Sequence, residues 1–203
     1  AIALFFIKCT YCIIKIVINE WRRKSVTKSI IFFDIDGTLL SETTHLIPDS
    51  TKLALKEARK NGHLLFINTG RASSNIDSYI KELDFDGYVC GCGTYIEFRN
   101  KELFSRTLDN EFTKELVKNI RDCKLDGIIE SKTATYYDDF IYGPEVKEIE
   151  EHHLLKNGQV IKSFDEENMD CDKFVIWYND ESDFNKFHDI YKNDFDFIHR
   201  DVN

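Results

Sequence analysis

Proline and glycine are scarce, with 2 prolines and 9 glycines in 203 residues. That scarcity excludes a collagen-like or linker-rich chain, since both depend on residues that interrupt regular structure. Basic residues are also in deficit: 27 Lys and Arg stand against 36 Asp and Glu, a formal net charge of -9. Nucleic-acid binding rests on Lys and Arg neutralising phosphates, and no basic stripe offsets the deficit, so nucleic acid is not an expected partner. A small anionic ligand stays open, because a metal and local donors can reverse the field inside one pocket. The sequence shows no internal repeat and no low-complexity tract.

Apolar residues make up 42% of the chain and charged residues 31%, a globular composition. The length suffices for one large domain or two small ones. Six cysteines stand at 9, 12, 90, 92, 123 and 171. A chain this well supplied with apolar residues does not need disulfide staples, so reduced thiols in a cytoplasmic protein are expected. Cys9 and Cys12 form a C-x-x-C, but no second pair stands at zinc spacing.

The chain opens "AIALFFIKCTYCIIKIVINEWRRK", and residues 1–18 approach the length of a membrane span. Ten residues of the Leu, Ile, Phe and Val type favour insertion by roughly 3 to 6 kcal/mol, while Lys8 opposes it by about 3 and Lys15 by less. The terms nearly cancel. A signal peptide carries its positive charges before the apolar run, whereas "WRRK" follows it. Three readings stand open for residues 1–28: a membrane anchor, an extension packed on the domain, or sequence outside the functional domain. The last is adopted, with membrane contact by residues 1–18 not favoured.

From Ser29 the pattern sharpens. "IIFFDI" and "LLFIN" are continuous apolar runs of the buried-strand kind, and "YVC" is a shorter third. Between them, "PDSTKLALKEARKNGH" predicts a helix capped by Asp49 or Ser50, with Leu53, Ala54, Leu55 and Ala58 apolar and Asn61-Gly62 as its stop. "SSNIDSYIKELDF" predicts a second helix with Ile76, Ile80 and Leu83 on one stripe. The order β-α-β-α-β implies a parallel sheet flanked by helices. After residue 90 the pieces shorten and alternate: "TYIEF", "ELFSR", "GIIE" and "ATYYD" read as strands. "NEFTKELVKNIRDC" and "EVKEIEEHHLLK" read as helices, followed by strand "KFVIWY", helix "ESDFNKFHDIYK" and strand "FDFIH". The expected fold is α/β: part of a Rossmann-like parallel-sheet core over residues 29–90, with an inserted α+β unit over 91–203.

The chemistry concentrates at two strand ends. In "FFDIDGTLL", Asp34 and Asp36 stand at i and i+2 at the end of the first strand, so both side chains point one way while Ile35 turns to the packing. Ligands of parallel α/β sheets bind at the carboxyl ends of the strands, and Gly37 lets the backbone turn sharply there. Two such carboxylates suit Mg²⁺, a hard cation that prefers oxygen ligands, and they suit a division into nucleophile and proton carrier. In "INTGRA", Thr69 ends the second strand and Gly70-Arg71 open the following loop and helix, and a hydroxyl, N–H groups near a helix start and a guanidinium are what a phosphate requires. Each motif alone is compatible with an ordinary turn. Together, each after a buried strand, they are specific.

These two stretches resemble the haloacid dehalogenase-like phosphatases, and the α+β insert resembles the large cap of their Cof-type, sugar-phosphatase-like branch (type IIB). The resemblance covers residues 29–203. It implies a Mg²⁺-dependent phosphatase of a small phosphorylated metabolite such as a sugar phosphate. Asp34 would be the nucleophile, forming an aspartyl phosphate, and Asp36 the acid/base. Gly37, Thr69, Gly70 and Arg71 would hold phosphate or substrate, with Mg²⁺ on Asp34 and on the backbone carbonyl of Asp36. A phosphomutase of the same superfamily, or a non-catalytic remnant, is the alternative.

The family also uses a later lysine and a G-D-x-x-x-D stretch. Neither pattern is found here, and Lys186 and Lys192 lie on a presumed cap helix. The chain ends at "FDFIHRDVN", which resembles the last part of the cap, so the expectation is a C-terminally truncated, inactive fragment. "YVCGCGTYIEF" sits where related phosphatases often carry an Asn-Gly turn, and turn chemistry outweighs metal binding by Cys90 and Cys92. His152-His153 reads as a helix surface, Trp177 and Tyr178 as core and rim of the cap sheet, and Glu166, Glu167, Asp170 and Asp172 as a solvated acidic loop.

Overall fold

The computed structural model describes residues 2–6, 28–41, 43–140, 143–155 and 159–200. Cys9, Cys12, Lys8, Lys15 and the rest of residues 7–27 lie outside the described residues. Among the described residues no helix is long and apolar enough to cross a membrane. The chain divides into two compact units. Strand β1 (Ile2–Phe6) belongs to the second of them.

The first unit draws on residues 28–71 and 78–105. Its sheet has the order β2-β3-β4-β5-β6: β2 (Ile30–Phe33), β3 (Leu64–Asn68), β4 (Gly87–Cys90), β5 (Tyr95–Phe98) and β6 (Lys101–Ser105). The pairs β2/β3 and β3/β4 are parallel, and β4/β5 and β5/β6 antiparallel. The first three strands fall where their apolar runs predict them. The sheet then continues past the boundary expected at residue 90, because "TYIEF" and "KELFS" fold back on β4 as a meander rather than joining the later strands.

Leu64, Leu65, Phe66 and Ile67 of β3 are buried, as a central parallel strand requires. Phe66 packs between Phe32 and Phe98, at centroid distances of 5.4 and 5.7 Å. This packing explains Gly87. A Cβ there would stand 2.2 Å from Phe66 Cε1 and 2.5 Å from the Glu97 carbonyl oxygen. Gly87→Ala is therefore expected to cost about 2–3 kcal/mol through forced displacement of a packed ring and a strand. Urea unfolding measures this, and an unchanged midpoint would refute it.

Helix α1 (Asp49–Lys60) differs from expectation in two respects. Pro48 takes the N-cap position with no side-chain capping bond, and its carbonyl accepts from Thr51 N and Lys52 N. Asp49 lies inside the first turn, where its carboxylate pairs with Lys52. Only Leu55 is buried, and Leu53 is 64% exposed. At 100° per residue, Thr51, Leu55, Ala58 and Arg59 share the inner face and Leu53 and Ala54 turn away from it. Gly62 (φ 82°) stops the helix, its N–H donating to the Arg59 carbonyl.

The second predicted helix is broken into a 3-10 turn at Ser73–Asn75 and the single turn α2 (Ser78–Lys81). The cause lies in the polar side chains. Ser74 Oγ donates to the Ser131 carbonyl, Asn75 Nδ2 to the Glu130 carboxylate, and Asn75 Oδ1 accepts from Thr135. Residues 72–77 thus belong to the second unit.

That unit otherwise comprises residues 2–6 and 106–200. Its sheet runs β11-β1-β10-β7-β8-β9, with β7 (Asp126–Glu130), β8 (Thr135–Tyr137), β9 (Ile161–Ser163), β10 (Lys173–Trp177) and β11 (Asp196–Arg200). All pairs are antiparallel except β8/β9. Strand β1 lies between β10 and β11, so residues 2–6 are part of this sheet rather than outside the domain. The helices α3 (Asn110–Asp122), α4 (Pro144–Leu154) and α5 (Phe184–Tyr191) fall on their predicted segments. Leu116, Ile120, Phe174, Ile176, Phe187 and Tyr191 form the centre of its core. Three-residue β9 carries too short a pattern to be read from sequence.

The acidic stretch splits. Glu166 and Glu167 are exposed, but Asp172 is 4% exposed and accepts from Thr107 Oγ1, while Asp170 accepts from Tyr136 Oη. Cross-strand pairing pulls Asp172 inward beside β10: its N–H donates to the Glu130 carbonyl. Burial raises its carboxyl above the ordinary value of 3.8, against the Thr107 hydrogen bond that lowers it. A carboxyl raised in the folded state contributes stability below its unfolded value, and that contribution is lost as pH rises through the folded value. Asp172→Asn is expected to flatten the loss of stability as pH rises above about 4. Urea midpoints across that range test it, and parallel curves for parent and variant would contradict it.

Candidate active site

Strand β2 delivers the chain to Asp34, and the next six residues form a tight turn around one carbonyl. The N–H groups of Thr38, Leu39 and Leu40 all donate to the Ile35 carbonyl, at 3.3, 3.0 and 2.9 Å. Such a coil needs a residue that accepts a left-handed backbone, and Gly37 supplies it with φ 73°. Ile35, Leu39 and Leu40 are buried and anchor the turn, leaving Asp34, Asp36, Gly37 and Thr38 exposed. The i, i+2 expectation therefore describes the observed arrangement: Ile35 faces the packing and both carboxylates face solvent. Asp34 Oδ1 accepts from the Ile35 N–H at 2.8 Å, which fixes its rotation.

The second motif leaves the adjacent strand β3. Thr69 is 4% exposed, its N–H donates to the Val89 carbonyl, and its Oγ1 accepts from the Arg71 N–H at 3.2 Å. Arg71 reaches back to the first motif. Its Nε donates to Asp36 Oδ2 at 2.9 Å and its Nη2 to Asp36 Oδ1 at 2.6 Å. This bidentate fork is the strongest geometry open to an arginine–carboxylate pair, though with Asp36 61% exposed solvent screens it. Parallel neighbours place their carboxyl ends side by side, so residues 35 apart in sequence meet directly.

All six predicted site residues, Asp34, Asp36, Gly37, Thr69, Gly70 and Arg71, thus lie on two adjoining strand-end loops of the first unit. Sequence reasoning assigned Arg71 to an incoming phosphate and missed its grip on Asp36. Opposite charges at the ends of neighbouring strands were the available signal. It also assigned the Gly91–Gly93 stretch only a turn, whereas that turn holds the loop: Gly91 N–H donates to the Arg71 carbonyl (2.7 Å) and Cys92 N–H to the Thr69 carbonyl (3.2 Å).

The donor set fits Mg²⁺ in part. The exposed Asp34 carboxylate and the Asp36 backbone carbonyl are hard oxygen donors of the required kind. The Asp36 carboxylate is engaged by Arg71, so its contribution would come from the backbone. Among the described residues no group of three or more His, Cys, Asp or Glu is arranged to hold a metal. His153, on α4, shares a hydrogen bond with Tyr137 Oη, and His152 is exposed.

A family model described as haloacid dehalogenase-like hydrolase matches residues 31–201. The chain is 30% identical over 95 residues to YkrA of Bacillus subtilis (strain 168), a protein named as a phosphatase; the match covers 47% of this chain and 37% of YkrA. It is 39% identical over 72 residues to the pyridoxal phosphate phosphatase YbhA of Escherichia coli (strain K12), covering 35% of this chain and 26% of YbhA. The matched stretches thus span well under half of either relative. Among solved structures, the subclass IIB sugar phosphatase BT4131 superposes with a TM-score of 0.56 at 22% identity, over 82% of this chain and 76% of that one.

Proposed function

Because the chain belongs to the haloacid dehalogenase-like hydrolase family, we propose that it carries the nucleophile half of a Mg²⁺-dependent phosphatase acting on a small phosphorylated metabolite, a sugar phosphate among the candidates. The observation that carries this reading is the Arg71–Asp36 fork, which brings both strand-end motifs together beside Asp34. Phosphatase names among the relatives support the reaction class. A cytoplasmic setting suits a chain whose large apolar core needs no disulfide staples.

In this reading an Asp34 carboxylate oxygen forms a bond to phosphorus as the bond from phosphorus to the leaving oxygen breaks. Asp36 donates a proton to that oxygen. Asp36 then takes a proton from water, whose oxygen attacks phosphorus and returns Asp34 as a free carboxylate. The Thr69 hydroxyl and the N–H groups around Gly37 and Gly70 hold phosphate oxygens. A phosphoryl group also offers the Arg71 fork a second bidentate partner, which releases the Asp36 carboxyl toward the leaving oxygen. Mg²⁺, when bound by Asp34 and the Asp36 carbonyl, supplies the positive charge that lets an anionic nucleophile approach an anionic substrate.

The test is release of inorganic phosphate in Mg²⁺ from an aryl phosphate, several sugar phosphates and pyridoxal phosphate, by the chain alone and by the chain joined to a family segment that carries the later lysine and acidic stretch. The chain alone, with the nucleophile half only, is expected to be inactive, and the joined protein is expected to release phosphate from at least one substrate. Return of the phosphoryl group to another hydroxyl of the same sugar would make the protein a mutase instead, and no turnover of any substrate by the joined protein would overturn the reading.

A further inference from the structure

The turn between β4 and β5 is more constrained than its connecting task demands. A tight hairpin needs at most two residues at positive φ. Here Gly91, Cys92 and Gly93 have φ of 57°, 57° and 98° in succession. Cys92 is the exception among them, since a side chain at positive φ is strained unless its surroundings hold it. Gly91 admits no alternative, because a Cβ there would stand 2.2 Å from Thr94 Oγ1, and that hydroxyl donates to the Gly91 carbonyl at 3.1 Å.

What the strained turn achieves is a clasp on the Thr69–Arg71 loop. Two successive N–H groups, of Gly91 and Cys92, are aimed at the carbonyls of Arg71 and Thr69. The positive φ of Gly91 turns the two successive donors to the same side, and that of Cys92 holds its own side chain against the loop while the chain turns on toward β5. The Cys92 sulfur lies against Gly70, 3.4 Å from where a Cβ would stand. The carbonyls on either side of Gly70 are thereby fixed, and with them the direction of the Thr69 hydroxyl and the root of the Arg71 side chain.

Resting on the phosphatase reading, we propose that Cys92 is a positioning residue of the phosphoryl site. It acts through Thr69 and Arg71 and does not itself touch substrate. The consequences differ by substituent. Cys92→Val puts a β-branched side chain where φ is 57° and opens the clasp. Cys92→Asn keeps it, because asparagine visits the left-handed region readily.

The experiment combines amide spectra with binding of inorganic phosphate in Mg²⁺, using the 203-residue chain labelled with ¹⁵N. Cys92→Val is expected to shift the Thr69, Gly70 and Arg71 amides and to weaken phosphate binding roughly tenfold. Cys92→Asn should restore binding to within about twofold. In a Thr69→Val background, Cys92→Val should add less than about twofold, since effects routed through one partner do not add. Should Cys92→Val fail to fold, Cys92→Ala carries the same comparison with smaller shifts. Unmoved loop amides in a folded Val or Ala variant, or an Asn variant as impaired as Val, would overturn the proposal. If the parent chain binds no phosphate, the phosphatase reading loses its support, while the amide shifts still decide whether Cys92 positions the loop.

Discussion

Asp34→Asn, made in the protein that carries both halves of the site, is expected to lower kcat for phosphate release by about a thousandfold or more, roughly 4 kcal/mol of transition-state stabilisation. The substitution is nearly isosteric. Its amide oxygen can still accept the Ile35 N–H that Asp34 Oδ1 accepts at 2.8 Å, so the turn anchored by Ile35, Leu39 and Leu40 should persist. What disappears is the anionic oxygen that attacks phosphorus, and no neighbouring group replaces a covalent nucleophile. Asp36→Asn provides the contrast. It removes a proton carrier, an effect of about a hundredfold to ten-thousandfold, and it also weakens the fork with Arg71. Its phenotype should therefore include a changed KM, whereas that of Asp34→Asn should sit in kcat. The measurement is steady-state turnover together with trapping of a hydroxylamine-labile phosphoenzyme. An Asp34→Asn variant that still turns over near the parent rate, or still accumulates label, would remove Asp34 from the mechanism.

The candidate site was legible because its chemistry is local. Asp34, Ile35, Asp36 and Gly37 are contiguous, and the alternation that exposes the carboxylates and buries Ile35 follows from backbone geometry alone. Strands β2 and β3 were equally plain in position, but only β3 is buried: β2 lies at the edge of its sheet, where its apolar run is half-covered and Phe32 is 41% exposed. Features that depend on long-range partners were not legible. The fork between Asp36 and Arg71 needs the pairing of β2 with β3 before it exists. The helix predicted across Ser73 to Phe85 breaks because Ser74 and Asn75 spend their side chains on Ser131, Glu130 and Thr135, about 55 to 60 residues away. Likewise Asp172 reads as solvated beside Glu166 and Glu167, and only its place next to β10 takes it out of water. Strands β5 and β6 carry a clear alternating pattern, but an alternating pattern does not say which sheet it will join.

Those long-range polar contacts converge on a buried ion pair, and its disruption should give the largest loss of stability in the second unit. Lys173 and Glu130 face each other across the antiparallel β10/β7 pair, with Nζ and Oε2 2.7 Å apart and side chains 12% and 8% exposed. Glu130 also accepts from Asn75 Nδ2, so one carboxylate serves both the sheet and the 72–77 segment. Two charges withdrawn from water gain little over an apolar pair, but leaving one of them without its partner is severe. Lys173→Met is accordingly expected to cost about 3–5 kcal/mol, since the Glu130 carboxylate stays buried opposite a thioether. Adding Glu130→Gln should recover most of that loss. The charge is then gone, while the Gln carbonyl oxygen still accepts from Asn75. The cycle of parent, two single variants and the double variant, measured by urea unfolding, should give a coupling of about 2–3 kcal/mol. Because the pair is shielded from solvent, the coupling should change little between about 0.05 and 0.5 M salt, unlike that of a surface pair such as Lys52–Asp49. A cycle closing near zero, or a coupling that salt abolishes, would mean that the pair is solvated in solution and that Asn75 alone holds the 72–77 segment to Glu130.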